Sequence, residues 1–151
     1  MNQPVINFVG YQIEKINYEL LDIISQDNEE KMETEEPDIE ILNGITEDFE
    51  QGKVIFSIRY PDKAVYRNIF LQVAGYFEIP EETRKSYKED KIKSYVANNG
   101  TAIVYPYVRT ILSIITSLDS SNSIIMPTIN TSGLHAQSIE DYISNQMTNE
   151  D

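Results

Sequence analysis

The sequence has no cysteine, no tryptophan, one histidine, and only 12 lysines and arginines beside 25 aspartates and glutamates. Without cysteine, neither a disulfide framework nor a thiolate metal site can form. A formal net charge of -13 argues against binding a phosphate backbone, which needs a basic face. An acidic surface instead keeps an assembly soluble and favours basic partners. No apolar run approaches the ~20 residues that span a bilayer, and the N-terminus lacks a basic region followed by an apolar run, so a cytoplasmic protein is expected. Walker-type and dinucleotide glycine motifs are missing, as is the carboxylate spacing of a calcium loop. The one histidine, His135, sits beside Gly133 and Leu134 in a loop-like stretch and reads as exposed or structural. No catalytic residue, metal or cofactor is therefore expected, and an enzyme is the least supported class.

What is present organises residues 1–151 as a single domain, within the usual size of about 100–200 residues. Val9, Tyr11 and Ile13 alternate with Gly10, Gln12 and Glu14, the period of a half-buried strand. The apolar phase then shifts to Ile16, Tyr18 and Leu20. One extra residue swaps the faces of a strand, so a bulge is expected near Lys15. Residues 21–36 turn acidic and read as a mobile loop. Pro37 opens a second extended segment, with Ile39, Ile41 and Ile45 facing one way. Glu50, Gln51 and Gly52 read as a connection, and Val54, Phe56, Ile58 and Tyr60 as one face of a third strand. A turn at Pro61, Asp62 and Lys63 leads into a long strand over 64–79. Ile69, Leu71, Val73 and Phe77 take one face of it; Tyr66, Phe70 and Tyr76 take the other. Gly75 predicts a bend or a close backbone approach there. The tight hairpin and short connections favour antiparallel pairing.

The second half is helical. Glu81 and Glu82 suit the first turn of a short helix. Asn98, Asn99 and Gly100 predict a turn, with a long helix starting near Thr101. Residues 138–147 predict a short amphipathic helix carrying Ile139, Tyr142, Ile143 and Met147, followed by a mobile tail over 147–151. Strands followed by helices give an α+β domain, with helices on one face of an antiparallel sheet. The long helix has two apolar stripes. Ile103, Tyr107, Ile111, Ile114 and Leu118 form the first; Val104, Val108, Leu112 and Ile115 form the second. Arg109 is the only charge from 101 to 118. One stripe suffices to cover a sheet. The second is expected at an interface between copies, with Arg109 fixing helix packing or that contact.

Two blocks stand out in this half: Val104-Tyr105-Pro106-Tyr107-Val108-Arg109 and, after the helix and a polar turn, Ile125-Met126-Pro127-Thr128-Ile129-Asn130. With the order of strands and helices, they resemble the SecB family of protein-export chaperones. In that family an apolar pair precedes Pro-Tyr, a small residue and Arg follow, and a Leu-x-Pro-x-Asn-type block comes after the helix. The order of elements is similar over residues 8–130, and the specific residues over 104–130. Residues 80–95 are longer and more charged than the family's, and 131–137 intervene before the last helix. The resemblance implies a four-stranded antiparallel sheet with a long helix and a short C-terminal helix on one face. It implies a dimer of dimers holding unfolded or extended polypeptides in surface grooves, without ATP. Export members deliver such preproteins for translocation by the SecA motor.

The candidate client-binding groove comprises Tyr76, Phe77 and Ile79, Tyr105 and Tyr107, then Ile125, Met126, Ile129 and Leu134. Methionine and flexible apolar side chains repack around different partners, as a groove for many sequences requires. Two other functions remain open: a SecB-like chaperone protecting the antitoxin of a toxin–antitoxin system, and a non-chaperone interaction or ligand-binding module. Neither nucleic acid nor insertion into a membrane is expected.

Overall fold

The computed structural model describes residues 3–21, 36–119, 123–127 and 136–149. Its strands are β1 (Asn7–Leu20), β2 (Asp38–Ile45), β3 (Gln51–Asp62), β4 (Arg67–Glu78) and β5 (Ala136–Ser138). Its helices are α1 (Glu81–Ser86), α2 (Glu89–Thr116) and α3 (Ile139–Asn149). The sheet order is β1-β4-β3-β2-β5. β2, β3 and β4 form an antiparallel meander, and β1 pairs antiparallel with the far side of β4. β5 joins β2 in parallel over three residues. The expected four antiparallel strands are present, and the fifth makes the sheet mixed. A strand that short carries no readable period, so the sequence reading missed it.

The register explains the faces. Ile69, Leu71 and Val73 of β4, with Val54, Phe56 and Ile58 of β3, are fully buried beneath α2. Ile13 pairs with Val73 and Lys15 with Gln72, leaving Glu14 as the extra residue of a bulge; a second shift lies between Phe8 and Gly10. The bulge beside Lys15 was legible, and its effect is specific. It turns Ile16, Tyr18 and Leu20 to the same face as Tyr11 and Ile13. On the reverse of the sheet Ser57 Oγ donates to Gln72 Oε1 (3.1 Å), and Gln72 Nε2 donates to Glu14 Oε1 (3.2 Å). Lys53 Nζ lies 3.2 Å from Glu14 Oε2, so this carboxylate is neutralised within the sheet.

Two connections differ from expectation. Gln51 and Gly52 already belong to β3. The turn before them is held by side chains: Gln51 N–H donates to Thr46 Oγ1 (3.1 Å) and Glu50 N–H to Asp48 Oδ1 (3.0 Å). β4 starts at Arg67, after a turn in which Tyr66 has φ 53°.

Helix α2 starts at Glu89 and runs straight through Asn98, Asn99 and Gly100, where a turn was expected. Packing overrides the local preference. A Cβ on Gly100 would meet Val54 Cγ2 at 2.8 Å, so the glycine brings the helix close to the sheet instead of ending it. Ile92, Val96, Gly100, Val104, Val108, Leu112 and Thr116 form one buried row at four-residue spacing across it. Pro106 is exposed within the helix; the carbonyl of Ala102, deprived of its usual donor, is on the exposed side.

This row corrects the interface assignment. Val104, Val108 and Leu112 are fully buried against the chain's own sheet, and Ile115 is half-buried beside them. The reason is width. A Cβ on Gly75 would overlap Val104 Cγ2, so only a narrow side chain fits at that approach. Tyr107 could not. The other stripe runs from the core to the surface: Ile111 is buried, Ile103 and Tyr107 are half-buried, and Ile114 and Leu118 are exposed.

Candidate functional site: an apolar trough between β1 and α2

Helix α2 lies over β3, β4 and β2, and leaves most of β1 uncovered. β1 therefore presents Tyr11, Ile13, Ile16 and Tyr18 on the core face of the sheet, left partly uncovered by the described residues, and all four are exposed. The flank of α2 that borders them carries Tyr107, Ile111, Ile114 and Leu118; Ile111 is buried at the base, whereas Ile114 is 55% and Leu118 78% exposed. Strand and helix flank enclose an open trough floored by isoleucine and tyrosine. From Tyr11 to Tyr18 it extends roughly 20 Å at the rise of a strand, the length of about six extended residues.

Both ends are fixed. At one end Tyr107 stacks on Phe8 with ring centroids 5.4 Å apart, and on Tyr11 beyond it. At the other end Arg67, with no exposed side-chain surface, donates through Nε to Asp62 Oδ2 (2.7 Å). Its Nη1 donates to the Thr116 carbonyl (3.0 Å) at the C-terminus of α2 and to Tyr18 OH (3.3 Å). Tyr18 OH in turn donates to Asp119. Burial works against the guanidinium charge, but its hydrogen bonds to Tyr18 and Asp62 and the nearby carboxylate outweigh it. The Arg67 pKa therefore lies above its ordinary value. Between these ends neither Ile13 and Ile16 nor Ile111 and Ile114 bring a charge. The trough is apolar and neutral in a strongly acidic chain.

The opposite flank of α2 is strapped by residues 123–127. Tyr105 OH donates to the Pro127 carbonyl (2.8 Å), Arg109 Nε to the Met126 carbonyl (3.1 Å), and Ile124 N–H to Thr116 Oγ1 (2.8 Å). Arg109 also sits over the Tyr105 ring, 5.9 Å from its centroid. Burial pushes the Tyr105 phenol above its ordinary pKa, against the opposing pull of Arg109.

The structure divides the residues picked out from the sequence. Phe77, Ile79, Tyr105 and Met126 are buried inside the chain and line no open groove in it. Tyr76 is half-buried on the polar reverse of the sheet, where its hydroxyl donates to Gln12 Oε1 (3.2 Å). Ile125 is 80% exposed on the strap, away from the trough. Among the described ones, Tyr107 borders it. Ile129, Leu134 and His135 lie outside the described residues, as does most of the acidic segment after β1. Tyr11, Ile13, Ile16, Tyr18, Ile114 and Leu118 were overlooked as a site. Their signal was present: the phase shift in β1 and the outer helix stripe, once the narrow stripe is given to the sheet.

Among the described residues no group of three or more histidine, aspartate or glutamate side chains could hold a metal ion. No helix among them is long and apolar enough to cross a membrane.

No family model matches the chain. In sequence it is 29% identical over 137 residues to an uncharacterised protein of Methanocaldococcus jannaschii, covering 87% of this chain and 74% of that protein. In structure it is similar to the Mycobacterium tuberculosis SecB-like chaperone Rv1957, solved in complex with a ChAD peptide from the Rv1956 HigA1 antitoxin. That match has a TM-score of 0.60 at 13% identity and covers 82% of this chain and 89% of the other. A protein of unknown function from Streptococcus agalactiae matches with a TM-score of 0.52 at 9% identity, over 82% of this chain and 97% of the other. The fold of this chain is SecB-like.

Proposed function

We propose that this protein is a SecB-like, ATP-independent chaperone that holds non-native polypeptide against apolar surface. The observation that carries the reading is the trough itself: an uncharged apolar surface between β1 and α2 that the described residues leave open. A fold alone establishes no function, but exposed contiguous apolar surface in a soluble domain marks a surface that binds protein. The outer flank of α2 is also where copies would meet, in a homotetramer built as a dimer of dimers. Shared between copies, the trough becomes part of a longer groove for extended clients. Delivery of preproteins to a SecA-type motor would be the export version of this role.

One specialised version is favoured by a specific observation, the structural likeness to Rv1957 bound to an antitoxin peptide. In that version the client is a single antitoxin in place of many preproteins. An adjacent toxin and antitoxin in the genome would select it.

The test is suppression of aggregation of an unfolded model client, without nucleotide. The expected result is a delay that grows with chaperone concentration in the micromolar range. No delay, and no binding of extended peptides, would favour a non-chaperone interaction module.

A further inference from the structure

The outer edge of β2 is occupied by the chain's own C-terminal segment, and the manner of that occupation is informative. β5 pairs Ile41 with Ala136, Leu42 with Gln137 and Asn43 with Ser138. β2 itself runs from Asp38 to Ile45, so β5 covers only its middle. Asn43 interrupts an otherwise apolar row of Ile39, Ile41 and Ile45, and is 8% exposed. Its Nδ2 donates to the main-chain carbonyl of Gln137 (3.1 Å). The amide thus reads a backbone group, and so does every rung of the ladder. Nothing in this recognition depends on the side chain that residue 137 carries.

The hold of the segment is also slight. Ser138 Oγ caps α3 by accepting from Asp141 N–H (3.1 Å), a bond within the segment. Ile139 reaches the rest of the chain, with its Cδ1 2.9 Å from where a Cβ on Gly44 would stand. Farther along α3, Ile143 and Met147 are exposed. A three-residue parallel strand anchored among the described residues by half-buried Ile139 and Tyr142 belongs to the less stable part of a fold, the part that opens first.

We infer that the outer edge of β2 is a sequence-independent acceptor for an extended strand of client polypeptide, and that β5 is an internal plug displaced when the client binds. The inference rests on the reading of the protein as a holder of non-native chains. It adds where the client's main chain is bound and what restrains that site. The client adds as a strand beside residues 38–45, longer than the plug it replaces. Asn43 then donates to a client carbonyl as it now donates to that of Gln137.

A reversible lock tests this in the full-length protein. The chain has no cysteine, so Leu42→Cys with Gln137→Cys installs one pair. Neighbouring strands lie about 4.8 Å apart, within the span a disulfide bridges. Client affinity is read with reduced, carboxymethylated α-lactalbumin, oxidised protein against reduced. Locking the plug closes the β2 edge and leaves only the trough, so the apparent Kd rises at least about tenfold on oxidation and recovers on reduction. A second variant, Gln137→Pro, removes the N–H that points with its carbonyl toward β2 and frees the plug; it tightens binding by about threefold or more. Equal affinity in both redox states together with no gain in Gln137→Pro overturns the inference and leaves the chaperone reading standing. Absence of client binding even to the reduced protein overturns both. A Gln137→Pro protein that gains mass without gaining client affinity has a second copy on the edge, and that too overturns it.

Discussion

Tyr107 of α2 stacks on Tyr11 of β1 with ring centroids 4.5 Å apart and planes inclined by 30°. Through this contact the long helix grips the edge strand at one end of the trough, while Arg67 grips the same pair of elements at the other. Both side chains are partly exposed, so the contact shapes a surface more than it fills a core. Tyr107→Ala should lower stability by about 1 kcal/mol beyond the lost area, whereas Tyr107→Phe should change little. Urea denaturation followed by circular dichroism measures both.

Gly75 and Val104 define the distance between helix and sheet. Gly75→Ala should destabilise by about 1–3 kcal/mol through overpacking. Val104→Ala should cost a comparable amount by leaving a cavity. The double variant should be more stable than the sum implies, because the new methyl enters the space that valine vacates. Strict additivity in a urea-denaturation cycle would mean that the two residues do not meet.

How much of this was legible follows from such contacts. The four long strands, the bulge beside Lys15 and the close approach at Gly75 were readable because each leaves a mark in period or composition. Both stripes of α2 were visible, but not which of them packs on the chain's own sheet. Ile, Tyr and Leu are as apolar as Val and Leu, and only the width permitted above Gly75 decides which set turns inward. Gly100 misled for the same reason: a glycine after two asparagines is a turn signal until a sheet lies 2.8 Å from its missing Cβ. The row from Ile92 to Thr116 at four-residue spacing was the sequence's counter-signal. The site was displaced with the stripe, since Phe77, Tyr105 and Met126 are the apolar residues that a single chain covers most easily.

Arg67 ties β3, β4, β1 and the end of α2 together from a fully buried position. Arg67→Met should lower stability by about 3 kcal/mol, because Asp62 is left without its buried partner. Arg67→Met combined with Asp62→Leu should recover part of that loss. Thermal unfolding of the two variants beside the wild type decides, and equal losses would mean that Asp62 draws nothing from the arginine.

Tyr105 makes an alkaline prediction. Its pKa is raised in the folded state by burial, so the stability it contributes is complete below the unfolded value of about 10 and is lost as pH rises through the higher folded value. Tyr105→Phe should cost about 1 kcal/mol at neutral pH through the lost bond to Pro127. It should also remove the part of the stability decline above pH 10 that belongs to this phenol. Stability measured from pH 8 to 11 on both proteins tests the sign.

Ile114 separates fold from function most sharply, being 55% exposed on the trough wall while Leu112, two residues away, is fully buried. The decisive measurement is sedimentation of wild type and Ile114→Asp, each with and without a permanently unfolded client and without nucleotide. Wild type should carry the client with it, and the variant should remain folded, with stability within about 0.5 kcal/mol, yet leave the client behind. A wild-type protein that sediments alone as a monomer, or a variant that carries the client as well as wild type does, would contradict the assignment of the trough as the place where polypeptide is held.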